Sequence, residues 1–97
     1  MQNGAIVICS STLLANTQSQ AVKGWNGAQA ALVVNADAYG TALHLEVKNY
    51  GGAWCRVHTS NITANQVIAL NAPAGEYRMN QQGSSVINLF AVLCPTP

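Results

Sequence analysis

The sequence predicts an all-β protein, an antiparallel β-sandwich of jelly-roll type with seven to eight short strands. Three observations predict it. Short apolar or alternating runs recur along the whole chain, parted by turn residues such as Asn26-Gly27, Gly51-Gly52 and Pro73-Ala74-Gly75. No run holds a 3.6-residue apolar period over a helical length. The clearest run, residues 41–59, reads as a β-hairpin with one apolar face. There Leu43, Leu45 and Val47 alternate with His44, Glu46 and Lys48. Tyr50-Gly51-Gly52 makes the turn, and Cys55 and Val57 then alternate with Trp54, Arg56 and His58.

The other elements follow in order. Residues 5–9, Ala-Ile-Val-Ile-Cys, are apolar on both faces, which suits a strand either central in its sheet or covered by a partner. Leu13-Leu14-Ala15 continues as strand or turn, and residues 16–20 are a polar connection. Residues 1–20 are therefore expected to form an N-terminal arm or edge strand ahead of a sandwich body at 21–97, within a single domain of 97 residues. Residues 21–25 read as a strand ending at the Asn26-Gly27 turn, and residues 30–34 as the next. Residues 37–40 form a loop before the hairpin. After the hairpin comes a polar stretch at 59–65, then a short strand at 67–70. Pro73 and Gly75 mark a turn, and Tyr77 and Met79 then alternate with Glu76, Arg78 and Asn80. Residues 86–94 are apolar on both sides except at Asn88, and Pro95 ends the strand because it cannot donate to a ladder.

Composition limits what the protein can do. Of its residues 49% are apolar, and only seven are charged: Lys23, Lys48, Arg56, Arg78, Asp37, Glu46 and Glu76. Typical domains are about a quarter charged. Ten asparagines and seven glutamines supply the polarity instead. A surface so short of charge resists association poorly and suits a protein that works assembled. A net charge of +1, with the basic residues scattered, excludes the phosphate-binding stripe of a nucleic-acid partner and argues equally against an anionic membrane. No run reaches the ~18 apolar residues of a membrane span. The opening residues lack the basic and apolar regions of a signal peptide, so synthesis in a cytoplasm is expected. Cys9, Cys55 and Cys94 are odd in number and have no zinc-ligand spacing; all three are expected to be reduced and to pack as small hydrophobes.

Chemistry-bearing residues are few. Glu46 and Glu76 fall on polar strand faces and read as solvated charges paired with Lys48 or Arg78, rather than as a glycosidase pair. A nucleophile–His–Asp arrangement would have to use Asp37, the single aspartate, and no nucleophile elbow is present. His44 and His58 lie on outward faces of the hairpin but lack a third metal ligand, so neither a metal nor any other cofactor is expected. The outward row Trp54, Arg56, His58 has the composition of a protein–protein hot spot. It could equally be covered by a loop of its own domain, or offer a platform for sugar. Trp25 carries the same ambiguity, with core packing favoured.

Several stretches carry a resemblance. They are Ala21-Val22-Lys23-Gly24-Trp25-Asn26-Gly27, Ala31-Leu32-Val33-Val34, Thr41-Ala42-Leu43-His44-Leu45, Ala53-Trp54-Cys55-Arg56-Val57, Ile62-Thr63-Ala64-Asn65, Ala72-Pro73-Ala74-Gly75-Glu76-Tyr77-Arg78 and Leu89-Phe90-Ala91-Val92-Leu93. In this order they resemble the small head decoration, or cement, proteins of tailed bacteriophages, over about three quarters of the chain. Asn26-Gly27 stands where that family has a glycine pair, and Ile62 where it has leucine. The first twenty residues have no counterpart.

The resemblance implies a sandwich or jelly roll that forms homodimers or homotrimers. It would sit outside the capsid, bridge major capsid protein subunits and brace the shell, with no cofactor and no catalysis. The protein would be made in the bacterial host cytoplasm and reside in the virion. The expected contacts are Ile6, Val7, Ile8 and Phe90 on apolar strands, with Trp54 and Arg56 as an anchor pair beside His58. The alternative is a glycan- or receptor-binding module of a phage fibre or spike, using Trp25, Tyr50 and Trp54 as stacking platforms.

Overall fold

The structure, a computed structural model, describes residues 4–37, 42–48, 51–58, 61–83 and 86–96. Among these residues eight strands form: β1 Ile6–Leu13, β2 Val22–Trp25, β3 Ala28–Ala36, β4 Leu43–Lys48, β5 Trp54–Arg56, β6 Gln66–Ala72, β7 Gly75–Gln81 and β8 Ile87–Pro95. They build two four-stranded sheets, in the orders β1-β8-β3-β6 and β2-β7-β4-β5. β1 pairs with β8, β2 with β7, β3 with β6 and β4 with β5, every pair antiparallel. The chain is thus one long hairpin of strand pairs rolled into two layers, which is the jelly-roll topology the sequence predicted.

Side chains alternate as the period of two requires. Leu32 and Val34 of β3, Leu43 and Leu45 of β4, Tyr77 and Met79 of β7, and Leu89, Ala91 and Leu93 of β8 fill the space between the layers. Ile62, outside any strand, is fully buried and ties its segment to β4 through its amide, 2.8 Å from the Leu43 carbonyl. Trp25 is a core residue, 2% exposed, and its indole Nε1 donates to the Ala72 carbonyl at 2.9 Å. The turn between β2 and β3 relies on Gly27 at φ +89°, where a Cβ would stand 3.1 Å from the Ala74 amide nitrogen. The accessible surface, 5244 Å², matches the roughly 5,300 Å² that scaling assigns to a chain of this mass.

Two sequence expectations need correction. The first strand is the edge strand of the two forms expected for residues 1–20, not an arm and not central: β1 is the outer strand of its sheet and runs on to Leu13. It reads as apolar on both faces because of a bulge between Val7 and Cys9. The extra residue breaks the alternation, so Ile8 and Cys9 both turn inward, 2% and 5% exposed. The cysteines are all free, but only Cys9 is buried, and Cys55 is exposed on the short β5.

Tyr77 gives a prediction in alkali. Its ring is fully buried and its hydroxyl donates to the Pro73 carbonyl. Burial pushes the phenol up to about 12, from an ordinary value of 10.0. The folded state therefore holds this proton at a pH where the unfolded chain has released it. Stability from this source is complete below pH 10 and is lost as pH rises towards 12. The expected fall is roughly 2–3 kcal/mol. Denaturant titrations at pH 9 and 11.5 measure it, and Tyr77→Phe removes this part of the alkaline loss.

Candidate interaction surfaces

The two sheets differ in charge. β1, β3, β6 and β8 contain no charged residue, whereas β2, β4, β5 and β7 carry Lys23, Glu46, Lys48, Arg56, Glu76 and Arg78. The seventh charged residue, Asp37, follows the end of β3. One outward face is therefore built for water and ions, and the other is not.

On the uncharged sheet the registers align one outward residue from each strand. Val7 stands opposite Val92, Val92 opposite Val33, and Val33 opposite Val67. On one side of this valine row lie Cys94, Ala31 and Ala69; on the other lie Ser10, Phe90 and Asn35. Val7, Phe90 and Val67 are 47%, 43% and 66% exposed. With strands ~4.8 Å apart and same-face residues ~6.8 Å apart, the eight apolar residues of this face cover roughly 260 Å². Contiguous apolar patches of a few hundred Å² are often functional. Beyond Phe90 the face turns polar. Thr12 donates to Asn88 at 2.8 Å, and Asp37 accepts the Asn88 backbone and side-chain amides at 2.9 and 2.7 Å.

The charged sheet centres on Glu46. β4 places it beside Arg78 of β7 and Arg56 of β5. Its carboxylate accepts from Arg78 Nε at 2.8 Å and from Asn80 Nδ2 at 3.2 Å, and lies 3.0 Å from His44 Nε2. Glu46, His44 and Asn80 are all less than 9% exposed. Burial alone would raise the Glu46 carboxyl; the bonds from His44, Arg78 and Asn80 and the charge of Arg78 outweigh that and hold it below its ordinary value. The Arg78 guanidinium stacks 4.2 Å from the Trp54 ring centroid. Glu46 is thus an enclosed, fully engaged ion rather than the solvated charge the sequence suggested, although its partnership with Arg78 was foreseen. Glu76 does remain near the surface, 3.7 Å from Lys23. Among the described residues, no three His, Cys, Asp or Glu side chains converge as a metal set.

The residues expected at an interface do not form one surface. Val7 and Phe90 lie on the uncharged outward face. Ile8 belongs to the core, and Ile6 packs against it, so neither offers the contact expected of it. Trp54 and Arg56 lie on the opposite, charged face. Trp54 is half-buried with one ring face taken by Arg78, and Arg56 is exposed and bonded to Asn61 at 2.8 Å. His58 is half-buried, and its Nε2 accepts the Leu45 amide at 3.4 Å. The three sugar platforms fare no better as a set: Trp25 is in the core, Trp54 is partly covered, and Tyr50 lies outside the described residues. Val33, Val67 and Val92, which complete the apolar row, were not singled out by the sequence. No protein-family model, curated protein or solved structure matches the chain.

Proposed function

We propose that this chain is a structural virion protein of the head decoration kind, which binds the outside of a phage capsid and stabilises the shell by bridging major capsid protein subunits. The observation that carries this reading is the uncharged valine face of the first sheet. A protein with only seven charged residues has placed none of them in that sheet. Such a face loses little on desolvation and gains from burial in proportion to its apolar area. The resemblance of stretches between residues 21 and 93 to decoration proteins supplies the partner.

The mechanism needs no catalysis, cofactor, nucleic acid or membrane. A ligand that binds only the assembled shell stabilises it by mass action. One copy contributes a small contact, since a standard interface buries about 800 Å² per partner. Many copies, each bridging subunits, make many small contacts cooperative through multivalency. The protein then resides on the virion surface.

The test is a charge placed in the middle of the valine row. Val92→Glu points outward on β8, so the monomer keeps its fold. Burying the unpaired carboxylate against the shell is expected to weaken shell binding about 100-fold or more. Trp54→Ala, on the opposite face, is expected to leave shell binding unchanged. Wild-type affinity for Val92→Glu, or a selective loss in Trp54→Ala, would move the contact to the charged face.

A further inference from the structure

We infer that β6 is a dimerisation edge, pairing antiparallel with β6 of a second copy to join two first sheets into one eight-stranded sheet. The inference does not depend on the virion reading, because it concerns only how two copies of this chain meet.

A sheet edge is a template for pairing unless something blunts it. Three of the four edges here are blunted. β1 is bulged between Val7 and Cys9. β2 has four residues, an irregular register and Lys23. β5 has three residues and carries Arg56. β6 has seven residues, an unbroken register against β3, no proline and no charge. Among the described residues no strand pairs with its far side, β6 being last in its sheet.

The register fixes which backbone groups face outward. Thr96 donates its amide to the Gln29 carbonyl at 3.1 Å, so Gln29 turns its polar groups toward β8. Strand residues alternate, so Ala28, Ala30, Leu32 and Val34 turn theirs toward β6. Asp37 donating to the Asn88 carbonyl at 3.3 Å gives the same alternation at the other end. The partners of those four residues, Ala72, Leu70, Ile68 and Gln66, therefore face β3. Val67, Ala69 and Asn71 are left with amide and carbonyl pointing away from the sheet.

These three residues are self-complementary about a two-fold axis through Ala69. Ala69 then faces its own copy, and Val67 of each chain faces Asn71 of the other. Both strands exchange both of their bonds at each pair, giving about six hydrogen bonds in all. On the inner side Ile68 meets Leu70 of the second copy. Both are only partly buried against their own core, so the pairing completes their burial. No charge opposes a like charge anywhere along the strand. The dimer is closed, because the edges left outermost in the joined sheet are the two bulged β1 strands. It also doubles the valine face in one surface, to roughly 500 Å².

The test combines native mass with backbone hydrogen exchange. Light scattering is expected to give twice the 10.2 kDa chain mass at tens of micromolar or above. At that concentration the amides of Val67, Ala69 and Asn71 exchange at least ten times slower than in a dilute monomeric sample, and those of Ile68 and Leu70 do not change. Ala69→Pro removes one outward donor without touching the β3 ladder and is expected to halve the mass. A monomer at millimolar concentration overturns the inference. So does a dimer in which Val67, Ala69 and Asn71 exchange as fast as in the monomer, or in which folded Ala69→Pro pairs as well as wild type. If Ala69→Pro does not fold, the exchange rates of the wild-type protein decide.

Discussion

Glu46→Ala is expected to cost about 3–5 kcal/mol of folding stability, the loss typical of removing one partner from a buried ion pair. The carboxylate holds Arg78, Asn80 and His44 at once, with its own side chain only 9% exposed. Alanine leaves the Arg78 guanidinium with a charge but no anion, and leaves Asn80 and His44 each short of a partner. The cost therefore comes mostly from what is stranded. Arg78→Leu in the Glu46→Ala background should recover part of it, because the stranded charge is then gone. Urea titration of the two single variants and the double variant measures the coupling. Acid gives a second readout. The Glu46 carboxyl is held below its ordinary value, so its contribution is complete above about pH 4.5 and fades as pH falls through its folded value. Glu46→Ala should lose that part of the acid dependence and keep the rest.

Trp25→Ala is expected to be as damaging for a different reason. The indole is 2% exposed where β2 meets the turn to β3, and its Nε1 satisfies the Ala72 carbonyl at the end of β6. Replacing a buried tryptophan by alanine costs about 3–5 kcal/mol in transfer and cavity energy. Here the Ala72 carbonyl is also left without its indole donor. Against the 5–15 kcal/mol that holds a typical domain together, this lowers Tm by roughly 20 °C. Trp25→Phe separates the two effects: the ring stays, the bond goes, and a loss of about 1–2 kcal/mol is expected. Thermal unfolding followed by circular dichroism reads both.

The fold was legible because its information is local. Alternation at Leu43, Leu45, Val47, Tyr77 and Met79, together with turn residues at Asn26-Gly27 and Pro73, places strands by a period that neighbouring residues carry. Where one extra residue breaks the period, the reading failed. The bulge near Val7 makes the edge strand apolar on both sides in sequence, so that a central position stayed open beside the edge, and it sends Ile8, expected at an interface, into the core. The candidate surfaces were less legible because they are assembled by register. The valine row takes one residue from each of four strands spread between Val7 and Val92, and only the pairing shows that they align. The segregation of charge is hidden in the same way. Seven charges scattered along a sequence look dilute, and the jelly-roll topology sorts six of them into one sheet. Glu46 was visible as a charge with Arg78 as a partner, but its burial follows from Arg78, His44 and Asn80 closing around it.

The uncharged face is tested most directly by mixing the protein with undecorated phage shells and sedimenting them. If it is a shell-binding surface, the protein pellets with assembled shells, saturates at a fixed number of copies per shell, and stays in solution with unassembled capsid subunits. Protein left in the supernatant at every ratio, with shells competent to bind other surface proteins, would contradict it.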